Sequence, residues 1–191
     1  MKQPLRRTIV LAFVSLLGAC TTNDAGYFPA TELAEDDGYY RRWFGRYFLT
    51  MNEPILHRQI NVDYSVRLTR LTDEVDAFSL RIDRLNSGEI FSSYKRFNYV
   101  RAGELNPRPT AVIAQKLAPA DFARLTAEID RQNFFSLPEQ FVEGNIVWLL
   151  EVYDGTNFHA VITPVMQRGQ GFGAIAAVAG ELAQLGNIAG S

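Results

Sequence analysis

Ile60-Asn61-Val62-Asp63-Tyr64-Ser65-Val66-Arg67-Leu68 alternates without a break, with Ile60, Val62, Tyr64, Val66 and Leu68 on one side and Asn61, Asp63, Ser65 and Arg67 on the other. Side chains of an extended chain point to opposite faces with a period of two. The stretch therefore predicts a half-buried antiparallel strand, apolar towards a core and polar towards solvent. Phe78, Leu80 and Ile82 repeat the pattern. Asn86-Ser87-Gly88-Glu89 then supplies turn residues before a third run from Ile90 to Val100, and these two runs are expected to pair as a hairpin.

Downstream, Arg101 to Thr110 holds Gly103, Pro107 and Pro109 and reads as a loop, followed by a short apolar run, Ala111 to Leu117, that fits a fourth strand. A helix is expected from Pro119 to about Asn133. Proline suits the first turn, Asp121 favours the dipole, and Phe122, Leu125 and Ile129 recur at helical spacing. Ile146 to Tyr153 and Phe158 to Thr163 flank the turn residues Asp154-Gly155-Thr156-Asn157 and predict a second hairpin, stopped by Pro164. A glycine-rich loop leads to a last helix over roughly Phe172 to Leu185. Hairpins with two helices set between and after them imply an α+β domain, an antiparallel sheet packed on one face by the two helices.

The amino-terminal region differs in kind. Lys2, Arg6 and Arg7 precede an apolar run from Ile9 to Leu17, too short for a membrane span of about 20 residues, and small residues follow before a cysteine. This is the outline of a secretory signal peptide. Leu17-Gly18-Ala19-Cys20 resembles the lipobox of bacterial lipoproteins. The resemblance implies diacylglyceryl transfer to the Cys20 sulfur, cleavage after Ala19 and acylation of the new amino terminus. Thr21 stands where an aspartate resembles an inner-membrane retention signal, so the class favours the periplasmic side of the outer membrane in a Gram-negative envelope. Arg6-Arg7 resembles a twin-arginine export signal, but its flanks match poorly, and general secretion is the expected route.

Taking residues 1–19 from the 191 leaves 172, and loss of Lys2, Arg6 and Arg7 moves the formal net charge from −2 to −5. That balance argues against nucleic acid as a partner and against a general polybasic membrane patch. Cys20 is the single cysteine, so a lipidated chain keeps no thiol for a disulfide, a metal or a nucleophile. With 47% apolar and 12% aromatic residues a core is available. Residues 20–38 carry Asp24, Glu32, Glu35, Asp36 and Asp37 with no basic residue and read as a solvated tether, leaving 39–191 as the domain. From Leu117 onward, the order of helix, Phe-Phe-Ser-Leu-Pro, hairpin and final helix, with Trp148, Asp154-Gly155 and His159 at marked places, resembles a family of uncharacterised bacterial proteins. No activity and no catalytic residue follow from that likeness.

Several segments invite a functional reading. Tyr39 to Phe48 is rich in aromatics and arginine. Tyr40, Trp43, Phe44, Tyr47 and Phe48 share one helical face and Arg42 and Arg46 the other, although Gly45 weakens a helix. Tyr40, Arg42, Trp43, Phe44, Arg46 and Tyr47 form a candidate surface for docking an envelope partner or contacting the membrane, against the plainer reading that the rings pack on the domain. Gly169-Gln170-Gly171-Phe172-Gly173-Ala174 matches the loose dinucleotide fingerprint but lacks the further strand and acid, so no nucleotide cofactor is expected. The residual idea is an anion held by Arg168 and the helix amides at Gly171 and Gly173.

His57 and His159 are the only histidines. With no nucleophile elbow and no paired-histidine motif, catalytic and metal residues are not assigned. Carboxylate pairs such as Asp73/Glu74 or Glu151/Asp154 carry weight only in a cleft. The leading expectation is a non-enzymatic binding module of the cell envelope, held to a membrane through Cys20. The alternative is a hydrolase of the cell wall or another envelope polymer using carboxylates or His159. The first should expose an apolar patch, and the second should show a pocket where ionisable groups converge.

Overall fold

The structure, a computed structural model, describes residues 24–72, 77–98, 107–140, 146–164 and 169–184. Six strands form one sheet: β1 (Val62–Thr72), β2 (Ala77–Leu85), β3 (Ile90–Phe97), β4 (Ala111–Lys116), β5 (Ile146–Tyr153) and β6 (Phe158–Thr163). They run in the order β4-β3-β2-β1-β5-β6, with every neighbour antiparallel. Three helices pack with it, α1 (Glu35–Thr50), α2 (Pro119–Arg131) and α3 (Gly171–Leu182), so the α+β class read from the hairpins is what the chain forms.

The even-numbered apolar residues of β1 build the first core. Val66 lies opposite Ile82 on β2 and Val152 on β5, and Leu68 opposite Leu80 and Leu150. Phe122, Leu125 and Ile129 of α2 and Phe172, Ile175, Ala179 and Leu182 of α3 close over them. Each such side chain taken fully from water is worth about 1.5–3 kcal/mol. α2 starts with Pro119 in its first turn, carries Asp121 there and Arg131 in its last, and is followed by Asn133 in a left-handed conformation (φ 50°). Gly155, at φ 89° in the β5–β6 turn, has no room for a side chain, because a Cβ would stand 2.9 Å from the Asp63 carbonyl.

The other face of the sheet corrects the reading of β1 as half-exposed. Ser65, Arg67 and Thr69 are fully buried, whereas Ile60, expected on the apolar side, is 90% exposed and precedes the strand. The cause is a second core on that face. Phe44, Phe48 and Met51 from α1 and its C-terminal end, with Tyr27, Phe28 and Leu33, pack against Leu71, Leu149, Ala160 and Ile162. The acidic stretch read as a tether is therefore part of the fold from its 3-10 turn at Asp24–Tyr27 onward, and the domain begins well before residue 39. The two expected helices, α2 and α3, pack on one face of the sheet, and α1 covers the other.

Candidate functional site

The aromatic segment divides by depth. Phe44, Tyr47 and Phe48 are buried in the second core, and the Arg67 guanidinium lies 3.7 Å over the Phe48 ring. Phe44 and Tyr47 are thus withdrawn from any docking surface, since α1 needs them to cover the sheet. Trp43 packs edge-on to both (5.0 and 5.1 Å between ring centres), and Tyr40 edge-on to Trp43, at the margin of that core. Arg42 and Arg46 are exposed, as the helical spacing predicts, together with Tyr39 and Leu49.

Beneath the C-terminal end of α1 lies a buried charge cluster that sequence inspection does not reveal. Arg67 grips Glu151 with two hydrogen bonds, Nε at 2.5 Å and Nη2 at 2.6 Å, and donates a third from Nη1 to the Pro54 carbonyl at 2.8 Å. Glu53, nearly buried, meets Lys95 at 2.9 Å and Arg81 at 3.4 Å, and Arg81 also reaches Asp83 at 2.7 Å. Burial pushes the Glu151 carboxyl upward against the pull of Arg67. The bidentate geometry holds the two as an ion pair, because a buried guanidinium cannot shed its charge. With both partners of that pair sealed from solvent, no substrate reaches them. Glu151 and Asp154 do not form a catalytic pair either: Asp154 is spent on the hairpin, accepting from the Thr156 and Asn157 amides at 2.9 and 2.6 Å. Asp73 and Glu74 lie outside the described residues.

His159, on β6, is half-buried and fully engaged. Its Nδ1 meets Glu32 Oε2 at 3.0 Å, and its Nε2 meets the Leu137 carbonyl at 2.9 Å. Both partners accept, so the ring is held as an imidazolium. The Glu32 hydrogen bond raises its pKa, burial opposes this, and the Leu137 bond adds to the rise. A ring with both nitrogens occupied is not poised as a general base. His57 is pushed the other way, first by burial and then by Arg58. Among the described residues, no three acidic, histidine or cysteine side chains gather as a metal site.

A cleft of about 400 Å³ opens between the end of α2 and the start of α3, lined by Gln132, Gln140, Thr163, Gln170, Phe172 and neighbours. The lining is amide, hydroxyl and apolar among the described residues, with no charged group. The anion site expected here is corrected in part. The Gly171 amide already donates to Gln132 Oε1 at 2.7 Å and the Gly173 amide to the Gln170 carbonyl at 3.1 Å, so neither is open to an anion. Arg168 lies outside the described residues, as does Cys20.

The exposed apolar surface lies elsewhere, on the short strand β4. Val112 is 60% and Ile113 44% exposed, on opposite faces of the sheet, and Phe91, opposite Lys116 on β3, is 38% exposed. The Leu117 amide donates inward to Ile90. By the alternation of an antiparallel ladder, the main-chain groups of Val112, Ala114 and Lys116 therefore face outward, where no strand lies beyond β4 among the described residues. Lys116 is paired with Glu89 at 2.8 Å. The far edge, β6, is closed. Its Ala160 amide donates to Glu32 Oε2 at 2.9 Å, and its Ile162 carbonyl accepts from the Gln140 amide at 3.3 Å. Among the described residues, no helix is long and apolar enough to cross a membrane. No protein-family model matches the chain, and no curated protein matches it.

Proposed function

We propose that this chain is an envelope lipoprotein, anchored by acyl groups on Cys20, whose domain binds another protein by strand addition at β4 and performs no chemistry of its own. The observation that carries the binding reading is the state of β4: an edge with outward main-chain groups and exposed Val112 and Ile113 on either side. Added strands gain main-chain hydrogen bonds along such an edge and specificity from alternate side chains. An exposed apolar edge otherwise invites aggregation, which the shortness of β4 and Lys116 at its end limit here. The anchor reading rests on the basic start, the apolar run and Leu17-Gly18-Ala19-Cys20. Thr21 favours the periplasmic side of the outer membrane in a Gram-negative envelope. A hydrolase would need ionisable groups converging in a cleft, and the amide-lined cleft beside α3 and the saturated His159 favour binding over that alternative.

Two experiments test the reading. A photo-crosslinking residue at Ala114 should give one discrete adduct in intact envelopes, lost when Val112→Lys and Ile113→Lys are combined. An adduct that persists in the double variant, or none from position 114, counts against strand addition. Cys20→Ser should abolish incorporation of labelled fatty acid, and incorporation that survives the change rules out the lipobox.

A further inference from the structure

We infer that the outer face of α1 rests on the bilayer surface, with acidic phospholipid headgroups as its partner. The inference rests on acylation of Cys20 and goes beyond it by naming the face of the domain that meets the membrane. An anchored cysteine sits at the level of the headgroups. Only Thr21, Thr22 and Asn23 separate Cys20 from the 3-10 turn at Asp24–Tyr27, so the turn starts at most about 14 Å from the anchor, even on an extended chain. A tether running to Gly38 would have allowed about 60 Å. The domain is on a short leash, and whatever surrounds its first turn faces lipid.

That first turn packs on the C-terminal end of α1. The Tyr27 and Phe28 rings lie 5.7 and 5.9 Å from Phe48, and the Tyr27 hydroxyl donates to the Glu53 carbonyl at 3.1 Å. Arg58 stands beside Gly26, where a Cβ would be 3.9 Å from its guanidinium. On α1 itself the outward residues Tyr39, Arg42, Arg46 and Leu49 fall at positions i, i+3, i+7 and i+10 and so form one stripe, opposite Phe44 and Phe48. Leu49 is 54% and Tyr39 49% exposed. The acidic residues of α1, Glu35, Asp36 and Asp37, occupy its first turn, at the end away from Tyr27.

A stripe of tyrosine, arginine and leucine on a helix lying flat is the composition of an interfacial element: the ring at headgroup level, the guanidinium groups on phosphate and the leucine towards the acyl chains. The charge also fits. The mature chain carries a net −5 after loss of Lys2, Arg6 and Arg7, yet from Tyr39 to Leu49 this stripe holds two cations and no acid. Near an anionic surface each arginine is worth about a fivefold change in partition.

The test uses the lipidated protein in phosphatidylcholine vesicles with and without phosphatidylglycerol. Leu49→Cys carries an environment-sensitive fluorophore, and Ala123→Cys, exposed on α2 across the sheet, serves as the control site. With phosphatidylglycerol present, the label at position 49 should brighten several-fold and shift to the blue, while the label at 123 stays unchanged. Adding Arg42→Glu with Arg46→Glu should return position 49 to its value on neutral vesicles, with the far-UV spectrum intact. The mass of the Cys20 peptide separates the two ways to fail. Without an acyl group the anchor falls and this surface with it. With Cys20 acylated and position 49 behaving like position 123, the docked face alone is overturned.

Discussion

The two edges of the sheet are built to opposite ends. At β6 a carboxylate from the N-terminal segment, Glu32, takes the Ala160 amide and the His159 ring together, and Gln140 donates to the next outward carbonyl. At β4 nothing equivalent occurs among the described residues, and Val112 and Ile113 are exposed. Five inter-strand spacings, about 24 Å, separate the two. The closed edge is the one stitched to the segment that follows Cys20, and the open edge is the one farthest across the sheet from it. One end of the sheet is thus committed to the chain's own start and the other is left for a partner. Strand edges are a liability unless blocked or used, and this domain does one of each.

The change with the largest expected effect would abolish the comparison by loosening the sheet between the edges. Glu151→Ala leaves the fully buried Arg67 guanidinium without its counter-charge and should cost about 3–5 kcal/mol, read from urea midpoints. A midpoint within error of the wild type would mean that water or another acid, such as Glu53, replaces Glu151. Next, Glu32→Ala should make the closed edge resemble the open one. It strips an acceptor from the Ala160 amide and the partner from His159, for about 2–3 kcal/mol. Hydrogen exchange should then rise at Ala160 and leave the amides of β1 unchanged, and equal exchange in both proteins would refute the stitch.

A smaller effect comes from pH. The His159 pKa is raised in the folded chain, so the stabilisation from its imidazolium is complete below the ordinary value of about 6.5 and fades as the pH climbs through the raised one. The difference in Tm between the wild type and Glu32→Gln should narrow from about pH 5 to about pH 9. A constant difference would assign the stitch to the Ala160 amide alone. Smallest of all, Val112→Lys with Ile113→Lys should change stability by no more than about 0.5 kcal/mol, because both side chains already stand in water. A large loss would show that β4 is part of the core and would take the docking edge away.

The hairpins were legible because each is local. The alternation at Val62 to Leu68 and the turn residues Asn86-Ser87-Gly88 and Asp154-Gly155 act within a few positions of one another. The second core was not, because its cover comes from distant residues. Arg67 reads as a solvent-facing strand position until Glu151, 84 residues on, and Phe48 enclose it. The acids from Asp24 to Asp37 drown out Tyr27, Phe28 and Leu33, the three apolar residues that anchor that segment. Glu32 looks like tether charge, and only its contacts with His159 and the Ala160 amide, 127 and 128 positions on, give it a structural task. Of the candidate surface, the exposed Arg42 and Arg46 followed from helical spacing. β4 showed no alternation to mark it as an edge, with Val112 and Ile113 both exposed on opposite faces.

The stitch between Glu32 and Ala160 spans 128 positions, nearly the whole domain, and so fixes an order of events as the protein is made. Contacts that close long loops wait on the chain between them. The β2–β3 hairpin and its pairing with β1 can assemble as soon as residue 97 is free. The N-terminal segment has no strand to join until β6 arrives. A chain emerging N-terminus first would therefore present Cys20 and the residues after it well before the domain draws them in. On the proposed anchor, the leash would be long while the protein is young and short once it has folded, separating processing at Cys20 from docking of α1 by the folding of the domain.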